Sequence, residues 1–220
     1  MSAMSKQELR EDPVMERIQR VVSFAERHAR WIVVGAVAAA VAILALVAVQ
    51  KSQARSALEA AQALTEGQAS YLTGNHPMAE SQLREMLQRY GHTRAAGPAH
   101  LFLGHALRDQ GRALEALEAY DKAVGKVGAD AELQAAVQRG RGAALADLAR
   151  YEDASRAYEQ AAAKGRLQRI EDLIAAGRCA LRAGDTARAQ QILGGIDRDQ
   201  AGERLAQVDF WLAQAGGGDR

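Results

Sequence analysis

From Trp31 to Val49 the chain reads WIVVGAVAAAVAILALVAV, nineteen residues without a charge. At ~1.5 Å of rise per residue, such a helix matches a hydrocarbon core of about 30 Å. The pattern predicts a transmembrane helix over 31–50. A long, mostly polar stretch precedes it, and the run exceeds the ~7–15 residues of a signal-peptide core, so a retained anchor is expected rather than a cleaved leader. Within the arm of residues 1–30, Val14, Ile18, Val21, Val22 and Ala25 fall at helical spacing. Met15 to Arg30 is therefore expected to form an amphipathic helix that leads to Trp31 at the membrane interface. Arg17, Arg20, Arg27 and Arg30 precede the apolar run, whereas only Lys51 and Arg55 follow it closely, which places the N-terminus in the cytoplasm. Gly35 with Ala39, and Ala38 with Ala42, put small residues on adjoining strips of the helix. Homodimerisation through this transmembrane surface is one expectation. Between Lys51 and Glu66 there is no Gly or Pro, so the helix should continue through a connector at 51–59 into the segment beyond.

That segment is periodic. In a unit counted from Gly97, Leu103, Gly104, Gly111, Ala116, Tyr120 and Ala123 occupy places seven, eight, fifteen, twenty, twenty-four and twenty-seven. The same spacing recurs with Gly142, Tyr151, Ala154, Tyr158 and Ala161, although Ala149 stands at the turn glycine's place. Four extra residues separate Gly142 from Gly104 beyond the standard spacing, which predicts a longer turn between those units. Gly177, Gly184, Ala189, Leu193 and Ile196 mark another unit, and Gly67, Gly74, Ala79, Leu83 and Met86 an earlier one. The pattern closely resembles the tetratricopeptide repeat (TPR), with four units at 60–93, 97–130, 135–168 and 170–203. The resemblance implies two antiparallel helices per unit, with a small residue at place eight where the two touch. Between Gln200 and Ala215, Leu205, Val208, Trp211 and Leu212 share one stripe and predict a capping helix at 204–215 before a glycine-rich tail at 216–220. The expected fold is all-α: a single transmembrane helix, then a solenoid of TPR-like helical hairpins.

Composition narrows the functional classes. The chain carries a net charge of +1, and the basic and acidic residues are evenly distributed, which disfavours nucleic-acid binding. Cys179 is the only cysteine; it forms no internal disulfide and reads as a small buried hydrophobe. His28, His76, His92, His100 and His105 fall in no metal-ligand spacing, and no nucleophile elbow or phosphate-cradling loop occurs. Neither catalysis, nor a metal, nor a cofactor is expected.

In TPR proteins the concave face is lined by places two, five, nine, twelve and thirteen of each first helix. By that resemblance the groove here carries Leu64, Gln68 and Tyr71, then Leu101, His105, Arg108 and Asp109, then Arg139, Ala143 and Asp147, then Ile174, Arg178 and Arg182. Four arginines against two aspartates make it mildly basic, a surface suited to a polypeptide partner. The sixth places hold Thr65, Phe102, Gly140 and Ala175, not the Asn of chaperone-tail receptors, so a carboxylate clamp is not expected.

A short cytoplasmic arm, one membrane helix and a compact array resemble the ancillary subunit family of the SecYEG translocon. The juncture KSQARSALEAAQAL, an Ala/Ser-rich helix leading into the repeats, shares in that resemblance. It implies a bacterial inner-membrane protein with periplasmic repeats, whose partners are translocon subunits, exported chains or periplasmic chaperones. The other reading is a self-associating scaffold of another envelope complex serving secretion, motility or cell-wall assembly.

Overall fold

The computed structural model describes residues 13–217, apart from the side chains of residues 13–17, 19–21, 24–27 and 32. Val14, Val21 and Ala25, expected on the apolar face of the arm, are among those undescribed side chains. Every element is helical, with no strand among the described residues. The chain divides into two compact units, Met1–Ala54 and Arg55–Arg220.

The first helix, α1, runs over Pro13–Leu72. Pro13 opens it, where a missing N–H leaves no bond unmade. In the first unit the apolar side chains of Val33, Val37, Leu44 and Val47 are exposed along the helix. By length and composition this helix is able to cross a bilayer.

In the second unit α1 begins a series of hairpins. It pairs with α2 (His76–Tyr90), followed by α3 (Ala96–Asp109) with α4 (Ala113–Val124), α5 (Ala131–Asp147) with α6 (Tyr151–Lys164), and α7 (Arg169–Arg182) with α8 (Thr186–Gly194). At place fifteen of each unit the backbone turns through positive φ: +79° at Gly74, +80° at Gly111, +58° at Ala149 and +84° at Gly184. Ala149 therefore adopts the turn made elsewhere by glycine, at the cost its Cβ incurs there. Asn75, Asp130 and Asp185 cap α2, α5 and α8 by accepting from Met78 N, Leu133 N and Arg188 N, each satisfying a free helix N–H.

The packing repeats as the spacing requires. The glycine at place eight lies against the large side chain at place twenty-four of the same unit. A Cβ on Gly67, Gly104, Gly142 or Gly177 would fall 2.7, 2.5, 2.9 and 2.5 Å from Leu83, Tyr120, Tyr158 and Leu193, respectively. Ala79, Ala116, Ala154 and Ala189 at place twenty are fully buried, as are Met86, Ala123 and Ala161 at place twenty-seven. Glycine at place eight and alanine at place twenty let backbones approach and leave the large residues to fill the seam between hairpins.

The extra residues between the second and third units lengthen the turn, which spans 125–130 against 91–95 and 165–168 at the neighbouring junctions, and they also lengthen the helix that follows. Helix α5 begins at Ala131, four residues before the expected unit start, and has 17 residues against 14 in α3 and α7; Asp130 supplies the cap that starts it early. The capping helix expected over 204–215 is α10 (Leu205–Gly216), and a short α9 (Arg198–Ala201) and a 3-10 turn (Gly202–Arg204) precede it, where Gly202 adopts a φ of +49°. Val208 and Ala215 of α10 are buried, and Leu205, Trp211 and Leu212 pack with Ile174, Leu193 and Ile196, so the array's C-terminal end is closed.

Candidate functional site: the face of the first helices

Side-chain bonds join α1, α3, α5 and α7, the first helices of successive units, into one continuous face. Tyr71 on α1 donates its hydroxyl to Asp109 Oδ2 on α3 at 2.9 Å. Its ring also stacks on His105, with centroids 5.9 Å apart, and meets the edge of Phe102 at 5.8 Å. Further along, Arg108 Nε on α3 donates to Asp147 Oδ2 on α5 at 2.8 Å. Arg139 on α5 grips Asp172 on α7 with two bonds, Nε and Nη2 donating to its two carboxylate oxygens at 2.7 and 2.8 Å.

The ring cluster is rooted in the core. His105 Nδ1 and the Tyr120 hydroxyl are hydrogen-bonded at 2.8 Å, and Tyr120 is fully buried. Gly104 and Gly140 both pack on that ring, each placing a hypothetical Cβ 2.5 Å from Tyr120 Cε1. Burial is the main reason the His105 pKa is pushed down to about 4; Arg108 and Arg139 act in the same direction and Asp109 against it. The imidazole is thus neutral at ordinary pH and serves as a hydrogen-bonding ring. Burial raises the Tyr71 pKa, reinforced by Asp109.

Asp172 is only 1% exposed. Burial raises its pKa, and Arg139 opposes that rise. A buried carboxylate is tolerated here because both of its oxygens are occupied. On α7, Arg178 and Arg182 make no ion pair with a carboxylate among the described residues. Arg182 instead lies over the Tyr151 ring, 5.7 Å from its centroid, a cation–π contact.

Several residues expected on this face are there: Gln68, Tyr71, His105, Arg108, Arg139, Arg178 and Arg182 are all partly or fully accessible. Leu101 is not. It is 4% exposed and belongs to the core, as does Ile174, because place five of a first helix points between hairpins in these two units. The expected excess of basic charge also shrinks, since Asp172 neutralises Arg139 and Asp147 neutralises Arg108. Phe102, Tyr120, Tyr151 and Asp172 were missed by spacing; only an aromatic at place six and one at place twenty-four hinted at the ring cluster. Trp31, Gly35 and Ala39 are exposed on α1, with no atom within 4 Å of a Cβ built on Gly35. Cys179 is buried, and burial raises its thiol pKa, the behaviour of an inert packing residue.

No protein-family model and no curated protein sequence matches the chain. Among solved structures, it is similar to the nearly identical TPR-like repeats of a kinesin light chain type protein from Podosopora anserina. That likeness has a TM-score of 0.60 at 16% identity and covers 72% of this chain and 87% of the other. The fold of this chain is a TPR-like helical-hairpin array.

Proposed function

We propose that the chain is a single-pass inner-membrane protein that holds its TPR-like array in the periplasm as a protein-binding platform beside the export translocon. In this reading Trp31–Val49 crosses the bilayer with the N-terminus cytoplasmic, and the face of the first helices receives translocon subunits, exported chains or their chaperones. The observation that carries it is the make-up of that face. A ring cluster of Tyr71, Phe102 and His105 lies on the same succession of helices as Arg178 and Arg182, which no carboxylate neutralises among the described residues. Such a face offers apolar contact at one end and charge-assisted hydrogen bonds at the other, the two contributions a polypeptide segment needs. The pairs Arg108–Asp147 and Arg139–Asp172 hold the helices between these ends in place.

The test is photocrosslinking of the full chain in cells, with a photoreactive residue at position 68 or 178 and the adducts identified by mass spectrometry. Translocon subunits or exported chains captured at both positions, and lost with Arg178→Glu plus Arg182→Glu, are expected. Capture that is unaffected by the charge reversal, or that finds only an unrelated envelope complex, overturns the reading. The alternative of a self-associating scaffold draws support from a separate surface on α1.

A further inference from the structure

The array is covered at its C-terminal end by α10, but no further helix of the second unit covers its N-terminal end. The last layer there is the part of α1 inside the second unit. One side of that stretch packs inward: Ala60 is buried, Gly67 meets Leu83, and Leu64 and Tyr71 lie against the core. The opposite side exposes Leu58 at 63% and Leu72 at 78%, with Ala61, Thr65 and Ala69 exposed between them. Solenoids keep their terminal outer face polar to remain soluble, and this one is not. Thr65 donates its hydroxyl to Ala61 O at 2.9 Å, which satisfies the hydroxyl within its own helix. The acidic residues of this stretch are turned elsewhere. Glu59 accepts from the Tyr90 hydroxyl, and Glu66 lines the cleft between α1 and α2.

We propose that this stripe is where a second copy of the same chain docks, the two α1 helices lying parallel and in register. Leu58, Thr65 and Leu72 are spaced by seven with Ala61 between them, the repeat that keeps one seam of a helix facing a partner helix. Between Leu58 and Leu72 the stripe carries no charge, so over that length a copy of itself brings no like charge against it, and the same patch serves both partners as two-fold symmetry requires. Ala61 allows close approach of the two backbones, and Thr65, its hydroxyl bonded within its own helix, brings no unmet polar group into the seam. The seam is short. Four turns of helix against four turns bury on the order of 800 Å² in total, below the ~1,000 Å² expected of a freely diffusing pair. The parallel arrangement and the missing affinity both rest on the anchoring proposed above, since one bilayer orients both chains alike and raises their effective concentration. This surface is distinct from the Gly35 and Ala39 strip of the anchor.

The experiment uses the full chain in phosphatidylcholine–phosphatidylglycerol vesicles, with Cys179→Ala as background and single cysteines introduced in turn. Under mild oxidation, Leu58→Cys, Thr65→Cys and Leu72→Cys should each form disulfide-linked dimers at several times the yield of Glu66→Cys. Leu58→Glu with Leu72→Glu should abolish the Thr65→Cys dimer while leaving helicity by circular dichroism unchanged. Monomer at all positions, equal yield at Glu66→Cys, or dimers formed only by Gly35→Cys and Ala39→Cys would overturn the proposal. Vesicle flotation of the same samples separates the two readings. A chain that floats but does not crosslink overturns the seam alone, whereas one that fails to float overturns the anchoring and the parallel dimer together.

Discussion

Replacing Gly140 by alanine adds one methyl group to the interior of α5, a change that in an unconstrained helix is favourable by ~1 kcal/mol. Here the methyl would fall 2.5 Å from Tyr120 Cε1 and 2.7 Å from Cζ. The ring has no retreat, because a Cβ position on Gly104 lies equally close to the same ring, and Tyr120 is fully buried with its hydroxyl bonded to His105. Relief requires α5 to move away from α4, which loosens the contact between the second and third units. Overpacking of this kind costs about 1–3 kcal/mol, and two-sided confinement puts it at the upper end, so the net loss should be about 2 kcal/mol after the helical gain. For an array of this size that lowers Tm by about 4–8 °C. The assay is urea and thermal unfolding of the full chain in detergent, followed by far-ultraviolet circular dichroism, for Gly140→Ala alone and in a Tyr120→Leu background. With the ring gone the clash disappears, and the same substitution should become neutral or stabilising. A Gly140→Ala protein as stable as the parent, or a loss of equal size in both backgrounds, would falsify the claim that Tyr120 is pinned between two glycines.

Other consequences concern the turn, the buried ion pair and pH. Ala149→Gly relieves a left-handed residue, φ +58°, and should stabilise by about 0.5–1 kcal/mol, read as a higher unfolding midpoint; no change would mean the turn is unstrained. Arg139→Ala leaves Asp172 buried without its partner and should cost about 3 kcal/mol, whereas Arg139→Met with Asp172→Leu should cost clearly less; similar losses in the two proteins would refute the pairing argument. His105 has a folded pKa pushed down to about 4 by burial, below an ordinary value of ~6.5. The unfolded chain therefore takes up the proton first, and the stability present above ~6.5 is lost as pH falls toward the folded value, on the order of 3 kcal/mol in all. His100, also pushed down to about 4 by burial, adds to the slope by less because it is more exposed. His105→Gln should flatten this part of the stability curve, and an unchanged slope would show that the imidazole is not the group responsible.

The repeat was legible in the sequence because its causes are local. Glycine at place eight, alanine at place twenty and a turn glycine at fifteen reflect contacts within one hairpin or between adjoining hairpins at a constant offset. The same residue types therefore recur at that offset, as Gly104 with Tyr120 and Gly142 with Tyr158 show. Even the departure at Ala149 was visible, and the backbone kept the turn regardless. The long apolar run at Trp31–Val49 was equally plain, since a uniform pattern needs no partner to be recognised.

What only the tertiary structure decided lies between hairpins. Arg139 meets Asp172 and Arg108 meets Asp147 across separations of 33 and 39 residues, and whether such groups touch depends on the angle at which one hairpin stacks on the next. That angle also buried Leu101 and Ile174, which spacing alone had set on the surface. It brought Gly140 against a tyrosine of the preceding unit and gathered Tyr71, Phe102 and His105 into one cluster. The hydrophobic period specifies which residues turn inward on each helix, but the angle that sets these cross-hairpin contacts is the result of all the side chains packing at once.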